Sequence, residues 1–317
     1  MPTVSVIATI LNEASSLPGL LASLEGQTLL PDEVVIVDGG SSDGTWELLQ
    51  AYRGKLSLQA QQLIGCTIAQ GRNAAITLAQ GEIIAVTDAG VRLSPQWLAE
   101  LMRPFEQVPG TQAVAGFFEA SPQSVFELAL GATTLPAIED VRPEQFLPSS
   151  RSVAFSKEVW QQAGGYPEWL DYCEDLVFDL RLQELGVRFA WSPGAVVYFR
   201  PRSSLSAFFR QYYLYARGDG KANLWLKRHL IRYAAYLFAL AALVSGAVPL
   251  VGLLAVGGAG YAYRPTRRLF ELSGDWGFGD RIAAIMLVPV IRLVGDVAKM
   301  VGYPVGVWWR WTLGSRQ

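Results

Sequence analysis

The sequence predicts an α/β fold with a mostly parallel sheet and flanking helices, followed by membrane-associated C-terminal helices. Three observations carry this. Apolar strand-like runs at 4–10, 33–37 and 82–87 alternate with helix-like segments, the rhythm of βαβ units. Each run ends on a polar, acid-bearing stretch, where open α/β sheets place their ligands. The charge is also split. Residues 1–199 carry 10 Lys and Arg against 23 Asp and Glu, and residues 200–317 carry 16 against 5. The overall net charge of −2 therefore hides an acidic front and a basic back.

The elements follow in order. After strand 4–10, Leu17, Leu20, Leu21 and Leu24 share one helix face. Strand 33–37 leads to a helix over 43–52, and a helix over 67–79 leads to strand 82–87. Ser94-Pro95 is a cap and first-turn pair for a helix reaching Phe105. A further strand is expected at 113–118. Residues 145–199 add a helix over 175–185 and strands at 188–191 and 195–199. Residues 203–228 interleave aromatic residues such as Phe208, Tyr212 and Trp225 with Arg210, Arg217 and Lys221, an interfacial helix pattern.

Residues 231–263 are apolar with Arg232 as the one charge. A single helix of that length would run about 50 Å, against a bilayer core of about 30 Å. Gly246 and Pro249 suit a turn near the middle, so a helical hairpin or re-entrant pair is expected, with one tilted span as the alternative. Lys227 and Arg228 before the run, and Arg264, Arg267 and Arg268 after it, favour both ends on the cytoplasmic side. Over 282–301, Arg292, Asp296 and Lys299 share a stripe and can pair. Trp308, Trp309 and Trp311 then resemble an aromatic belt. The organisation is an α/β domain at 1–200, an amphipathic helix at 201–230 and hydrophobic helices at 231–317.

Several classes are disfavoured. No recognised nucleic-acid motif is present, and no Gly-x-Gly-x-x-Gly follows the first strand, against a dinucleotide oxidoreductase. Cys66 and Cys173 form no disulfide framework, which fits a reducing compartment. The N-terminus enters a strand without a secretory signal pattern.

Four pieces of chemistry stand out: Ile10-Leu11-Asn12-Glu13; Asp38-Gly-Gly-Ser-Ser-Asp43-Gly-Thr45; Gly71-Arg72-Asn73-Ala74-Ala75; and Glu174-Asp175 with Phe178, Arg181 and Gly186. The Asp38 carboxylate can accept a base N–H, and Arg72 offers a planar fork for a phosphate or base edge. Asp43 suits a helix cap. Glu174 and Asp175 open a helix, where the anion is stabilised. In this order and spacing, residues 4–90 and 146–220 resemble family 2 glycosyltransferases of the GT-A fold.

The resemblance implies that Glu13, Asp38, Arg72 and Asp88 bind a nucleotide-sugar. It makes Asp175 the general base, taking the acceptor hydroxyl proton in an inverting transfer, with Glu174 positioning it. Asp88 aligns with the first acid of an Asp-x-Asp motif that holds Mg²⁺ or Mn²⁺, hard cations that prefer oxygen ligands. Gly90 replaces the second acid, and Val196-Val197-Tyr198-Phe199-Arg200 stands where a histidine often follows the last strand. Either Asp88 holds the cation with water and diphosphate, or Arg200 and Arg202 replace part of its function. Gln211 lies where membrane-bound members carry a Gln-x-x-Arg-Trp motif near the acceptor.

The expected function is transfer from a nucleotide-diphosphate sugar to a membrane lipid or lipid-linked glycan at the cytoplasmic face, as in cell-envelope glycan biosynthesis. The competing reading is a non-catalytic nucleotide-sugar sensor or scaffold at the membrane. Retention of Asp175 argues against it.

Overall fold

The computed structural model describes residues 2–274 and 276–312. The chain divides into two compact units, residues 1–119 with 138–199, and residues 120–137 with 200–317.

In the first unit the apolar runs become strands β1 (Val4–Ile10) and β2 (Glu33–Asp38), separated by helix α1 (Leu17–Glu25). Helix α2 (Thr45–Ala51), strand β3 (Leu58–Gln62) and helix α3 (Ile68–Leu78) follow. Next come β4 (Ile83–Val86), β5 (Val91–Leu93), α4 (Trp97–Gln107) and β6 (Ala113–Ala120). Helix α5 (Val125–Thr134) belongs to the second unit. The first unit resumes with two 3₁₀ turns (Ile138–Asp140 and Pro143–Gln145), then β7 (Val153–Ser156), α6 (Lys157–Gln162), α7 (Glu174–Glu184) and β8 (Phe189–Phe199).

Among the described residues the strands form one sheet in the order β3-β2-β1-β4-β7-β6-β8-β5. β3, β2, β1 and β4 run parallel, whereas β7 pairs antiparallel to β4 and β6, and β5 antiparallel to β8. Alternation along each central strand supplies two cores. Val4, Val6, Ala8 and Ile10 pack with Val34 and Ile36 under α1 and α4. Ile7, Val35, Val37, Ile84 and Val86 face the other way, under α3, α6 and α7. Helices on both faces make the central strands apolar throughout.

Three local expectations change. β3 has the sequence LQAQQ, an edge strand with half-buried alternating positions and little apolar content, so its pattern is weak. The two short strands expected at 188–191 and 195–199 form the single strand β8, whose Pro193 is exposed and whose Gly194 passes close to the Glu100 side chain. Residues 120–137 leave the expected 1–200 domain because α5 is apolar on nearly every side. Leu128, Ala129, Leu130 and Ala132 are buried among helices of the second unit.

The second unit contains α5 with α8 (Leu205–Lys221), α9 (Leu226–Ser245), α10 (Val248–Leu272) and α11 (Phe278–Thr312). The amphipathic helix expected at 203–228 stops at Lys221. The chain turns through Asn223 and Trp225, both with left-handed φ, so Lys227 and Arg228 join α9. α8 and α11 cross at glycine. A Cβ on Gly302 would fall on the Tyr213 carbonyl oxygen, one on Gly306 on that of Arg217, and one on Gly220 on that of Tyr303. No larger residue allows this approach without separating the helices.

The apolar run at 231–263 does break where glycine and proline stand. Gly246 caps α9 at φ +64°, and Pro249 lies in the first turn of α10. No helix among the described residues is long and apolar enough to cross a membrane, so the expected transmembrane span is not found. The break is the reason. It leaves apolar stretches of about 13 and 16 residues, near 20 and 24 Å as helix, with arginines at their outer ends. The stripe on α11 also pairs differently. Asp296 accepts from Arg232 Nε at 2.8 Å and from the hydroxyls of Tyr236 and Tyr261 at 3.1 and 2.8 Å. Arg292 and Lys299 stack over Tyr261 and Tyr212.

Candidate active site

The candidate site residues of the first unit gather at the C-terminal ends of β1, β2 and β4. Asp38, the last residue of β2, is fully buried. Its oxygens accept from the Ser41 amide and hydroxyl and from Gln62 Nε2 at 2.8 Å, so it shapes the loop that follows. Burial, reinforced by the Asp38 charge, pushes the Cys66 thiol pKa up. Asp43 does not cap α2, whose N-cap is Gly44. It accepts from the Thr45 amide and hydroxyl at 3.1 and 2.5 Å and from the Ala14 amide at 3.0 Å, clasping two loops. Half-buried Glu13 receives the Ser16 hydroxyl on its carboxylate and donates its amide to Thr45 Oγ1 at 2.8 Å.

α3 explains the Gly-Arg-Asn triplet. Thr67 and Gln70 form a reciprocal capping box that starts the helix. Gly71 brings the helix onto β1, since a Cβ would strike the Thr9 side chain. Asn73 pins the 165–168 loop. Its Nδ2 donates to the Tyr166 carbonyl and to Glu168, both at 2.9 Å, and its Oδ1 accepts from the Tyr166 amide and from Trp160 Nε1.

Arg72 is the hub, with 2 % of its surface exposed. One fork nitrogen donates to Glu174 Oε1 at 2.6 Å and the other to Asp88 Oδ1 at 3.1 Å, while the guanidinium lies over the Tyr166 ring. Burial lowers its pKa, but the charges of Asp88 and Glu174 outweigh this and the net shift is upward. Tyr166 is held by stacking on Phe178 and by its hydroxyl contact with Ser150 at 3.1 Å. Thus Arg72, expected as a nucleotide contact, is committed to protein carboxylates.

Glu174 is the first residue of α7, behind Cys173 in the left-handed region. Burial first, then the neighbouring Asp175 charge, raise its pKa from the ordinary 4.5 to about 7 against the pull of Arg72. Asp175 is half-buried. One turn on, buried Asp179 has an oxygen with no hydrogen-bond partner among the described residues, and burial pushes its pKa well above its ordinary value. Arg181 donates to the Gly165 carbonyl at a long 3.5 Å, tying α7 to the same loop.

Asp88 follows β4 with its side chain 27 % exposed. Its second oxygen pairs with Arg151 Nε at 3.6 Å, a residue for which the sequence has no motif or periodic signal. Around Gly90 a Cβ would meet open space. Among the described residues no group of three or more His, Cys, Asp and Glu could hold a metal ion. With both Asp88 oxygens facing guanidinium groups, the residues present do not make the expected Mg²⁺ or Mn²⁺ site.

The comparisons with known proteins decide the family. Residues 5–147 match Glycosyl transferase family 2, and residues 83–294, two thirds of the chain, match Glycosyl transferase family group 2. The chain belongs to the family 2 glycosyl transferases. It is 25 % identical over 230 residues to the succinoglycan biosynthesis protein ExoA of Rhizobium meliloti, covering 68 % of each chain. It is 31 % identical over 106 residues to validoxylamine A glucosyltransferase of Streptomyces hygroscopicus subsp. limoneus, covering 32 % of this chain. The match spans 23 % of that relative's length. The fold is shared with a mannosyltransferase from Pyrobaculum calidifontis solved with GDP-Man and Mn²⁺. The TM-score is 0.62 at 21 % identity, covering 94 % of this chain and 87 % of that one.

The remaining expected site residues of this family 2 chain lie in its second unit. Arg200 is committed to buried Glu127, its Nε 2.9 Å from Oε1. Arg202 is exposed, and Gln211 donates to the Tyr215 hydroxyl at 3.0 Å.

Proposed function

We propose that this chain is an inverting glycosyltransferase that moves a sugar from a nucleotide-diphosphate donor to a membrane-proximal lipid or lipid-linked glycan. The observation that carries this is the Arg72 bridge. It ties Asp88, at the nucleotide end of the sheet, to Glu174, beside Asp175. One rigid link thus sets the spacing between the donor end and the base, which is what single-step displacement demands. Asp175 takes the proton as the acceptor oxygen bonds to the anomeric carbon. The bond from that carbon to the diphosphate breaks, and its electron pair leaves on the nucleoside diphosphate. Asp38 and the loop it organises, with Glu13, receive the base and ribose. One general base suffices, in contrast to the carboxylate pair of a glycosidase.

The second unit supplies the reason for a membrane-side acceptor. The α9–α10 hairpin exposes Leu237, Leu240, Val244, Val248 and Val256 to between 61 and 80 %. Exposed apolar residues on this scale mark an interaction surface, and the basic residues at the base of the hairpin suit anionic headgroups. We place the hairpin in the interface of the cytoplasmic leaflet.

Asp175→Asn tests the assignment. Transfer from radiolabelled nucleotide-sugars to membrane extract should fall by about 10³-fold or more, with nucleotide affinity kept. Full activity in this variant would refute the role of Asp175.

A further inference from the structure

We propose that Arg151 is the positive group that receives the donor diphosphate, and that transfer runs without a divalent cation. The inference rests on the nucleotide-sugar reading above and concerns the same site. Charges alternate along one chain of contacts, Glu174–Arg72–Asp88–Arg151, with pairs at 2.6, 3.1 and 3.6 Å. Arg72 is enclosed, whereas Arg151 is the outer member with its side chain 26 % exposed. Its Nη1 reaches Ser149 Oγ at 3.0 Å, and its guanidinium lies 4.9 Å from the centre of the Phe199 ring. Phe199 ends β8, in the stretch where the resembled family often carries a histidine and this chain has none. The aromatic face holds the guanidinium beside Asp88.

A divalent ion at Asp88 would have to displace one of these guanidinium groups and would still sit against the positive charge of the other. A diphosphate meets no such barrier. As the bond from sugar to diphosphate breaks, negative charge grows on the departing oxygen, and a fixed guanidinium beside it stabilises that charge. Gly90 supports the same assignment. A Cβ there would meet nothing within 4 Å, so crowding at Cβ does not explain the missing second acid.

The test is calorimetric titration of the full chain with UDP, GDP and dTDP, each in EDTA and in Mn²⁺. The proteins compared are the wild type, Arg151→Ala, Arg151→Lys and Gly90→Asp. One nucleotide should bind the wild type with a Kd that changes less than about twofold between EDTA and Mn²⁺. Arg151→Ala should weaken it by about tenfold or more in EDTA, a loss on the scale of one charge-assisted contact, and lysine should recover part of it. Gly90→Asp should weaken it too, because the new acid repels the diphosphate. Wild-type binding that requires Mn²⁺, or wild-type affinity in Arg151→Ala, overturns the inference. If Arg151→Ala does not fold, unchanged affinity of Gly90→Asp in EDTA overturns it instead. Failure of all three nucleotides to bind under either condition would sink the nucleotide-sugar reading itself.

Discussion

Glu174→Gln should flatten the pH dependence of folding stability. Glu174 is 6 % exposed, and its pKa stands at about 7 in the folded chain against the ordinary 4.5. The folded state therefore binds this proton more tightly than the unfolded state. The resulting stabilisation is fully present below about pH 4.5 and is lost as the pH rises through about 7. A shift of this size corresponds to about 3 kcal/mol in the limit, most of it lost between pH 5 and pH 8. Glutamine keeps an oxygen for the Arg72 fork but cannot titrate, so this slope should vanish. Urea unfolding of both proteins at the two pH values gives a double difference in which the titrating groups that do not interact with Glu174 cancel. The expected loss on going to pH 8 is about 2–3 kcal/mol larger for the wild type. Equal pH dependence of the two proteins would refute the reasoning, since Glu174 would then be equally ionised in folded and unfolded chains.

Two other expectations follow from the second unit. Gly306→Ala places a methyl group on the Arg217 carbonyl and should cost about 1–3 kcal/mol of stability. Gly258→Ala, in open space on α10, should change it by less than about 1 kcal/mol, favourably if at all; equal effects in thermal unfolding would contradict the glycine crossing. Leu240 and Val244 are 61 and 79 % exposed, so Leu240→Glu with Val244→Glu should lower flotation on phosphatidylglycerol vesicles by about 10²-fold or more. Unchanged flotation would remove the hairpin from the membrane interface.

What the sequence by itself determined is what local pattern can encode. Apolar runs such as Val34-Val35-Ile36-Val37 are strands buried on both faces, and the leucines of α1 mark its inner side. Gly246 and Pro249 divide the apolar run, because one needs a left-handed φ and the other has no amide to donate. The order of Glu13, Asp38, Arg72, Asp88 and Glu174-Asp175 pointed to the ends of β1, β2 and β4 as the candidate site, and the structure brings Arg72, Asp88 and Glu174 into contact there.

The tertiary structure decided which of these groups answer to one another. Arg72 reads along the chain as a phosphate-binding fork. Folding instead brings it to Glu174, 102 residues away, and leaves it buried. Arg151 lies in a turn without periodicity and becomes part of the site only when β7 pairs beside β4. Helix α5 looks like part of the first domain until its apolar surface finds the second unit. Periodicity reports the burial of a face, whereas an ion pair depends on where two distant backbones come to rest. That position is set by the packing of the whole sheet and its helices, which no short stretch of sequence contains.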